Sequence, residues 1–312
     1  MKAILWEKHK SEAALFLRDV QRPSPRNNEV LIRIHASSLN ALDYRPMHMG
    51  IGIPKNRIFG ADIVGMVEKV GKDVTRFKPG DTVLGDTSGC GSGGFAEYVS
   101  VPEDVLVLKP EGVSNETAAA VPVAAVTALQ AVRDKAAVQP GLQVLIYGAS
   151  GGVGTFAVQL ATYFGAQVTA VCSARNVDEI RSLGASDVID YALEDITASS
   201  RKFDRIIAIN GNNTLSAYKG ILAPHGIYVM VGGSLRQIFT SLVLGPFLSF
   251  GSRKFRSLSA TPNRKDLEFV IDLVASGTLK AVIDRHYPLE QTAEAMRYVG
   301  EAHARGKVII TM

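Results

Sequence analysis

The clearest pattern of apolar and polar positions lies in the middle of the chain, at residues 143–171. Residues 144–147 form a short apolar run, which is typical of a buried parallel strand. A glycine-rich turn follows at Gly148–Gly154, and apolar residues then recur at helical spacing from about Thr155 to Phe164. A glycine ends that predicted helix, and a second strand is predicted at 167–171. This order of elements predicts a parallel α/β unit.

The glycine-rich turn has the chemistry of a pyrophosphate site. Its residues are Gly148, Ala149, Ser150, Gly151, Gly152, Val153 and Gly154. Glycine lets bare backbone approach the phosphates, and the following helix directs free N–H groups and the positive end of its dipole toward them. Because Ala149 replaces the first glycine of the GxGxxG spacing, the prediction depends on the strand–turn–helix–strand context. The alternative is a turn that only packs a helix on a sheet.

Elsewhere the pattern separates two kinds of structure. Up to about residue 120, glycine and proline interrupt short strand-like runs, which is typical of a partly open β-barrel. These runs lie at 31–37, 61–71, 77–85 and 94–102. Further α/β units follow the glycine-rich turn, and helices are predicted near 263–276 and 290–303 before a final strand. We expect a dinucleotide-binding domain at 121–260 and a second domain made of 1–120 and 261–312.

Composition narrows the class of protein. The chain has 312 residues, 46% of them hydrophobic and 21% charged, as in soluble proteins of about two domains. The N-terminal residues carry charges throughout and no apolar run reaches the roughly 20 residues of a membrane span, so we expect a cytoplasmic protein. Cys90 and Cys172 suit a reducing compartment. The net charge of +4 fits an anionic small ligand, and the scattered basic residues do not predict nucleic-acid binding.

Four motifs in this chain resemble the medium-chain dehydrogenase/reductase superfamily over essentially the full length. They lie at 36–44, at 59–71, at 77–83 with 93–99, and at 119–132 with 148–161. Within the superfamily the chain is most similar to the zinc-free quinone oxidoreductase branch, which includes zeta-crystallin-like reductases and the chloroplast-envelope homologues. The resemblance implies a GroES-like β-barrel domain for the substrate, a Rossmann domain with a doubly wound parallel sheet for a nicotinamide cofactor, and a homodimer.

The same resemblance implies a site without a metal. Zinc prefers nitrogen and sulfur ligands in tetrahedral geometry. Where zinc-dependent relatives place a cysteine, a His-Glu pair and a second cysteine, this chain has Asn40, Ala61-Asp62 and Val123. We therefore expect no catalytic zinc, and hydride attack on an already polarised acceptor rather than alcohol oxidation.

The residues after the second predicted strand favour NADPH. An NAD-preferring site tends to carry an acidic residue there, which accepts the ribose 2′-OH, whereas this chain has Ser173, Arg175 and Asn176. Arg175 offers a charged fork to a 2′-phosphate, and Ser173 offers a hydroxyl. The resemblance adds Tyr191, which would flank the adenosine phosphate. The alternatives are a solvated surface arginine and a packing tyrosine.

Further cofactor-binding candidates come from later strand ends and from the resemblance. Asn210, Gly232 and Gly233 end two later predicted strands, where ligands of open α/β sheets bind. The resemblance implies that Thr127 contacts the nicotinamide amide and that Lys307 lies near the cofactor. The alternatives are a helix-packing threonine and a surface lysine.

The catalytic candidates form the NxxD pattern of the zinc-free branch. Asn40 can donate its amide to a substrate carbonyl or to the nicotinamide side. Asp43 is expected to orient its neighbours, with a turn or cap aspartate as the alternative. Tyr44 is a candidate proton donor beside water, although quinone oxidoreductases often carry the tyrosine one place later, where this chain has Arg45.

Together these features predict a zinc-independent, NADPH-dependent oxidoreductase that transfers hydride to a quinone or to the C=C bond of an α,β-unsaturated carbonyl. An enoyl-thioester reductase is the nearest alternative, and a low-turnover NADPH sensor or RNA-binding protein is an alternative of another class. The apolar segment 238–258 is expected to form a lid or a dimer interface, with a peripheral membrane contact as the alternative.

Overall fold

In the computed structural model, the chain divides into two units near residues 126 and 261. The structure describes residues 1–9, 12–211, 213–233, 237, 240, 241, 245, 249, 251–301 and 304–312. One unit comprises Met1–Val126 with Thr261–Met312, and the other comprises Thr127–Ala260. We call them the mixed-sheet unit and the parallel-sheet unit.

The secondary structure follows the predicted order of strands, then α/β units, then a return to strands and helices. The strands are β1 (Lys2–His9), β2 (Glu12–Asp19), β3 (Glu29–Ser38), β4 (Asp62–Val70), β5 (Thr82–Asp86), β6 (Tyr98–Pro102), β7 (Leu106–Leu108), β8 (Gln143–Tyr147), β9 (Gln167–Cys172), β10 (Asp187–Asp190), β11 (Phe203–Ala208), β12 (Leu222–Met230), β13 (Lys254–Ser257), β14 (Ile283–Pro288) and β15 (Lys307–Thr311). The helices are α1 (Ala41–Met49), α2 (Asn115–Ala119), α3 (Pro122–Leu129), α4 (Gly152–Tyr163), α5 (Val177–Ser182), α6 (Leu215–Ile221), α7 (Arg264–Ala275) and α8 (Thr292–Gly300).

The mixed-sheet unit contains the β1–β2 hairpin and a seven-stranded sheet. The sheet order is β14-β15-β3-β4-β5-β7, and β6 also pairs with β3. Buried side chains such as Ile32, Ile63 and Val83 form its core. Asp62 lies opposite both Ser38 and Asp86 in the strand register. Directly opposed residues share a face of the sheet, so these three polar side chains meet at one end of it.

The parallel-sheet unit has the order β10-β9-β8-β11-β12-β13, with every pair parallel. Counted from β8, this is the 3-2-1-4-5-6 order of a doubly wound sheet. The strand order reverses between β8 and β11, and ligands of such sheets bind at the carboxyl ends of strands at this point. The predicted parallel α/β sheet around the glycine-rich turn is confirmed.

Two helices differ from the prediction. α4 begins at Gly152, earlier than the predicted Thr155, because the last residues of the turn already belong to its first helical turn. α1 was not predicted, since its few apolar residues form no helical stripe and Pro46 lies inside it. A hydrogen bond at its first turn, from the Asn40 backbone N–H to Asp43 Oδ2 at 3.0 Å, holds its start.

Part of the apolar segment 238–258 lies outside the described residues, namely residues 238, 239, 242–244, 246–248 and 250. In the described part, Lys254–Ser257 forms β13, the edge strand beside β12. Its Phe255 packs on Tyr228, with ring centroids 5.3 Å apart. The lid, interface and membrane alternatives therefore stay predictions. Within the described ranges no helix has both the length and the hydropathy needed to cross a membrane.

Candidate active site

A group of polar side chains is buried together at one end of the mixed-sheet unit. We call Ser38, Asn40, Asp43, Asp62 and Lys307 the polar cluster, and each is at most 8% exposed. They come from the end of β3, the start of α1 and the first residues of β4 and β15. The pairing of β15 and β4 with β3 brings these residues together from distant parts of the sequence.

Asp62 accepts the largest number of hydrogen bonds in the polar cluster. Its Oδ2 accepts from Asn40 Nδ2 at 2.8 Å, from Lys307 Nζ at 3.3 Å, and from the Ser38 hydroxyl. Its Oδ1 accepts the backbone N–H of Val123 at 2.8 Å. Three neutral donors and the Lys307 ammonium suit a charged carboxylate, because charge-assisted hydrogen bonds offset the cost of burial.

Lys307 is buried, and its ammonium donates all three of its hydrogens within the mixed-sheet unit. Nζ lies 3.0 Å from the Leu39 carbonyl oxygen, 2.5 Å from Asn40 Oδ1 and 3.3 Å from Asp62 Oδ2. An ammonium has three N–H donors, so these acceptors satisfy it completely. The surface-lysine alternative is wrong, since Lys307 is 3% exposed. A cofactor contact stays a prediction, and it would have to displace one of the three acceptors.

The side chain of Asp43 links the start of α1 to the segment before β4 through hydrogen bonds. Its Oδ2 accepts from the Asn40 backbone N–H, and its Oδ1 accepts from the Gly60 backbone N–H at 3.0 Å. Burial, and then the nearby charge of Asp62, raise the pKa of Asp43 to about 7, against the opposing effects of these backbone hydrogen bonds and of Lys307. The bond to the Asn40 N–H is part of a capping box at the start of α1, so these contacts fit the cap alternative as well as the expected orienting role, and the orienting role stays a prediction.

Asp86 is a buried carboxylate that the sequence analysis missed. It lies opposite Asp62 at the end of β5, is 8% exposed, and accepts the Ser88 backbone N–H at 2.9 Å. Burial, and then the charge of Asp62, raise the pKa of Asp86 to about 6. Only the strand register brings the two carboxylates together, and the sequence motifs carry no signal of that register.

The amide of Asn40 retains one weakly bound donor. Its Oδ1 accepts from Lys307, and one Nδ2 hydrogen goes to Asp62. The remaining Nδ2 contact is with the Ser38 carbonyl oxygen, at a long 3.4 Å. That hydrogen is the one with which Asn40 can bind a substrate oxygen.

Tyr44 packs between two helices. Its ring stacks on His48 with centroids 5.1 Å apart, and it lies against Gly300 of α8 so closely that a Cβ there would overlap the ring. These contacts give Tyr44 a packing role. Its role as proton donor stays a prediction.

The glycine-rich turn joins β8 to α4 at the carboxyl end of β8. Two of its glycines are needed for the backbone of the turn to adopt this conformation. Gly148 has a φ of +80°, and a Cβ at Gly154 would lie 2.6 Å from the backbone carbon of Ala149. Gly151 is different, because its φ is −81° and the nearest atom to an added Cβ is 3.8 Å away. The backbone at Gly151 is thus uncrowded and lies at a helix N-terminus, which fits a phosphate approaching bare backbone.

The candidates for the adenosine end lie on the same edge of the sheet. Ser173, Arg175 and Asn176 follow β9, and Tyr191 follows β10, the neighbouring strand. Ser173 Oγ accepts from Asn176 Nδ2 at 3.1 Å, while Asn176 Oδ1 is buried and has no hydrogen-bond partner among the described residues. Arg175 is exposed, and Tyr191 is 56% exposed. A buried acceptor without a donor suits a ligand that supplies one.

The remaining cofactor candidates lie in the parallel-sheet unit as well. Asn210 follows β11 with a φ of +57°, and Gly232 and Gly233 follow β12. They therefore lie at the carboxyl ends of the strands, as Gly148 does. Thr127 is on α3 and is partly exposed. Their contacts with a cofactor stay predictions.

No metal site is evident in the part of the chain that the structure describes. There, no group of three or more His, Cys, Asp and Glu side chains is arranged to hold a metal ion. In the polar cluster, the Lys307 ammonium lies 3.3 Å from the Asp62 carboxylate. A cation at Asp62 would therefore meet a fixed positive charge.

The comparisons with known proteins give the family. Residues 26–111 match the alcohol dehydrogenase GroES-like domain, and residues 183–310 match a family described as zinc-binding dehydrogenase. The chloroplast envelope quinone oxidoreductase homolog of Arabidopsis thaliana is 34% identical, over 92% of this chain and 91% of its own. The human mitochondrial NAD(P)H oxidoreductase RTN4IP1 is 30% identical, over 97% of this chain and 87% of its own.

Solved structures agree with the sequence relatives. The quinone oxidoreductase from Coxiella burnetii has a TM-score of 0.90 and 31% identity, and the match covers 100% of this chain and 99% of that one. The expected GroES-like and Rossmann folds are confirmed. The chain belongs to the medium-chain dehydrogenase/reductase superfamily, in its quinone oxidoreductase branch.

Proposed function

We propose that the protein is a zinc-independent, NADPH-dependent reductase that transfers hydride to a quinone or to the C=C bond of an α,β-unsaturated carbonyl. The observation that carries the proposal is the turn at Gly148–Gly154, where the backbone at Gly151 is uncrowded at the N-terminus of α4. Open backbone at that point of a doubly wound sheet is suited to a dinucleotide pyrophosphate. Relatives named as quinone and NAD(P)H oxidoreductases support the same function.

The preference for NADPH rests on the residues after β9. Arg175 is exposed and carries a guanidinium suited to a 2′-phosphate, and Ser173, two positions before it in the sequence, supplies a hydroxyl. The stretch from Ser173 to Asn176 contains no acidic side chain to accept a ribose 2′-OH. Bound nicotinamide would supply the hydride.

We assign the binding of the hydride acceptor to the polar cluster. As the acceptor is reduced, negative charge develops on its oxygen, and the weakly bound Nδ2 hydrogen of Asn40 would stabilise it. Asp43 and Lys307 hold the backbone and the amide oxygen of Asn40, so this donor is positioned before the reaction. The final proton would come from Tyr44 or from water.

Zinc independence is argued from the ligand chemistry. Asn40, Ala61 and Val123 stand where zinc-dependent relatives carry ligands, and neither alanine nor valine can bind a metal. Asp62, the carboxylate among these positions, already binds Lys307.

The first test is NADPH oxidation, followed by the nicotinamide absorbance. The acceptors are a quinone, short 2-alkenals, a vinyl ketone and an enoyl-thioester, and NADH is run in parallel. Turnover of a quinone or an enone with NADPH well above NADH supports the proposal. Selective turnover of the thioester favours an enoyl-thioester reductase. NADPH binding without turnover favours a sensor, and salt-sensitive RNA binding favours a nucleic-acid role.

Two wider proposals are a homodimer, which the resemblance supports, and a cytoplasmic location, which rests on the charged N-terminal residues, whereas the relatives above are named as chloroplast and mitochondrial proteins. Light scattering after gel filtration measures the mass of the assembly against the 33.4 kDa of one chain. Imaging of a tagged full-length chain in its native cell tests the location, and organellar signal would contradict it.

A further inference from the structure

Lys307 and Asp62 contact the two polar atoms of the Asn40 side chain with opposite chemistry. Lys307 can only donate, and it lies against Oδ1. Ionised Asp62 can only accept, and it lies against Nδ2. The oxygen and nitrogen of an asparagine amide are nearly equal in shape, so the hydrogen-bond partners decide which atom is where.

The swapped orientation of the Asn40 amide would be doubly unfavourable. It would bring an NH2 group against the Lys307 ammonium and a carbonyl oxygen against the Asp62 carboxylate. Both side chains are nearly fully buried, at 3% and 0% exposure, so water cannot relieve either mismatch.

We propose that Lys307 is a positioning residue, which together with Asp62 locks the Asn40 amide so that its weakly bound hydrogen, now 3.4 Å from the Ser38 carbonyl oxygen, is always an N–H donor available to the acceptor. The inference rests on the proposed function of Asn40. It differs from the resemblance-based expectation for Lys307, because it assigns the ammonium to the substrate-binding machinery and not to the cofactor.

The fold explains why a lysine can do this. Lys307 is the first residue of β15, which pairs antiparallel with the end of β3. The Leu39 backbone N–H also binds the Val308 carbonyl oxygen at 3.0 Å, which fixes the two segments beside each other. The ammonium is therefore held by a strand and two backbone contacts rather than by a mobile loop, and it acts as a fixed cation.

The test compares Lys307→Met with Lys307→Arg and with the exposed control Lys265→Met. The measurements are kcat, the KM for the acceptor and the Kd of NADPH. We expect Lys307→Met to lower kcat by about 10- to 100-fold, because an oxyanion donor is no longer held in place. The Kd of NADPH should stay within about twofold, and Lys307→Arg should recover part of kcat because it keeps a donor-only cation. Lys265→Met should match the wild type.

Two results would overturn the inference. An NADPH Kd that rises together with an unchanged kcat assigns Lys307 to the cofactor. Unchanged kcat, KM and Kd leave it a purely structural residue. If Lys307→Met does not fold, Lys307→Gln replaces it, because glutamine is uncharged and presents either a donor or an acceptor to Asn40.

A spectroscopic measurement separates this inference from the proposed function. In ¹⁵N-labelled protein, the side-chain amide signals of Asn40 should form one sharp pair in the wild type and shift or broaden in Lys307→Met or Lys307→Gln. This result is expected even if no acceptor is ever reduced. Unchanged Asn40 signals in both variants would refute the lock, whatever the activity.

Discussion

Replacing Asp86 with asparagine should change how the stability of the mixed-sheet unit depends on pH. The pKa of this buried carboxyl is about 6 in the folded protein, raised from 3.8 first by burial and then by Asp62. Between pH 3.8 and about pH 6, Asp86 holds a proton in the folded chain that it has released in the unfolded chain. The stability contribution is therefore fully present below about pH 4, and it is lost as the pH rises through about 6.

The size of the effect follows from the shift. A difference of about 2 pKa units at about 1.4 kcal/mol per unit gives roughly 3 kcal/mol. Asp86→Asn keeps an oxygen that can accept the Ser88 N–H, and it cannot ionise. Between pH 4 and pH 8 the wild type should therefore lose about 3 kcal/mol more of its unfolding free energy than the variant does. Asp43 titrates in both proteins, so the comparison isolates Asp86.

The fluorescence of Trp6 reports the unfolding of the mixed-sheet unit. Trp6 is the single tryptophan of the chain and lies on β1, in the same unit as Asp86. Urea unfolding followed by its fluorescence, at intervals from pH 4 to pH 8, gives the free energy of that unit. Asp73→Asn, at an exposed aspartate of this unit, is the matched control and should follow the wild type. Parallel pH curves for Asp86→Asn and the wild type would show that Asp86 does not bind this additional proton in the folded protein.

Four further predictions concern the cofactor and the chemistry. Gly151→Ala should fold normally, since an added Cβ meets nothing closer than 3.8 Å, but it should weaken NADPH binding measured by calorimetry at least about tenfold, because the methyl group occupies the space of the phosphate. The control Gly220→Ala, in open space on α6, should leave NADPH binding unchanged. Arg175→Ala should raise the KM for NADPH about tenfold or more and leave that for NADH nearly constant, and equal changes for both would contradict the 2′-phosphate assignment. Dialysis against a zinc chelator should leave kcat within error, and recovery of lost activity by added Zn²⁺ would oppose zinc independence. Tyr44→Phe should lower kcat severalfold if the tyrosine is the proton donor, and unchanged kcat assigns the proton to water.

Local sequence patterns were sufficient to predict the start of the parallel-sheet unit. The strand, turn, helix and strand around Gly148–Gly154 are adjacent in sequence, and each is defined by short-range features such as apolar runs and glycine placement. The same reasoning identified β3, β4 and the closing strand. α1 escaped it because that helix is stabilised by tertiary contacts, including Tyr44 against Gly300, rather than by its own apolar stripe.

The polar cluster was only partly predictable. Asn40 and Asp43 are close in sequence and belong to one motif, whereas Lys307 lies 267 positions from Asn40 and meets it only because β15 pairs with β3. Asp86 enters through the register of β4 and β5. Strand register and long-range pairing depend on the whole core, and single-sequence patterns do not specify them.

Hydride transfer from NADPH to the acceptor can be followed by the transfer of deuterium. The enzyme is incubated with a vinyl ketone and NADPH carrying deuterium at one C4 position of the nicotinamide, and with the opposite C4 isomer in parallel. The reduced ketone is then analysed by mass spectrometry and NMR. We expect one deuterium at the β-carbon from one isomer and none from the other. Reduced ketone without deuterium from either isomer would contradict this hydride transfer.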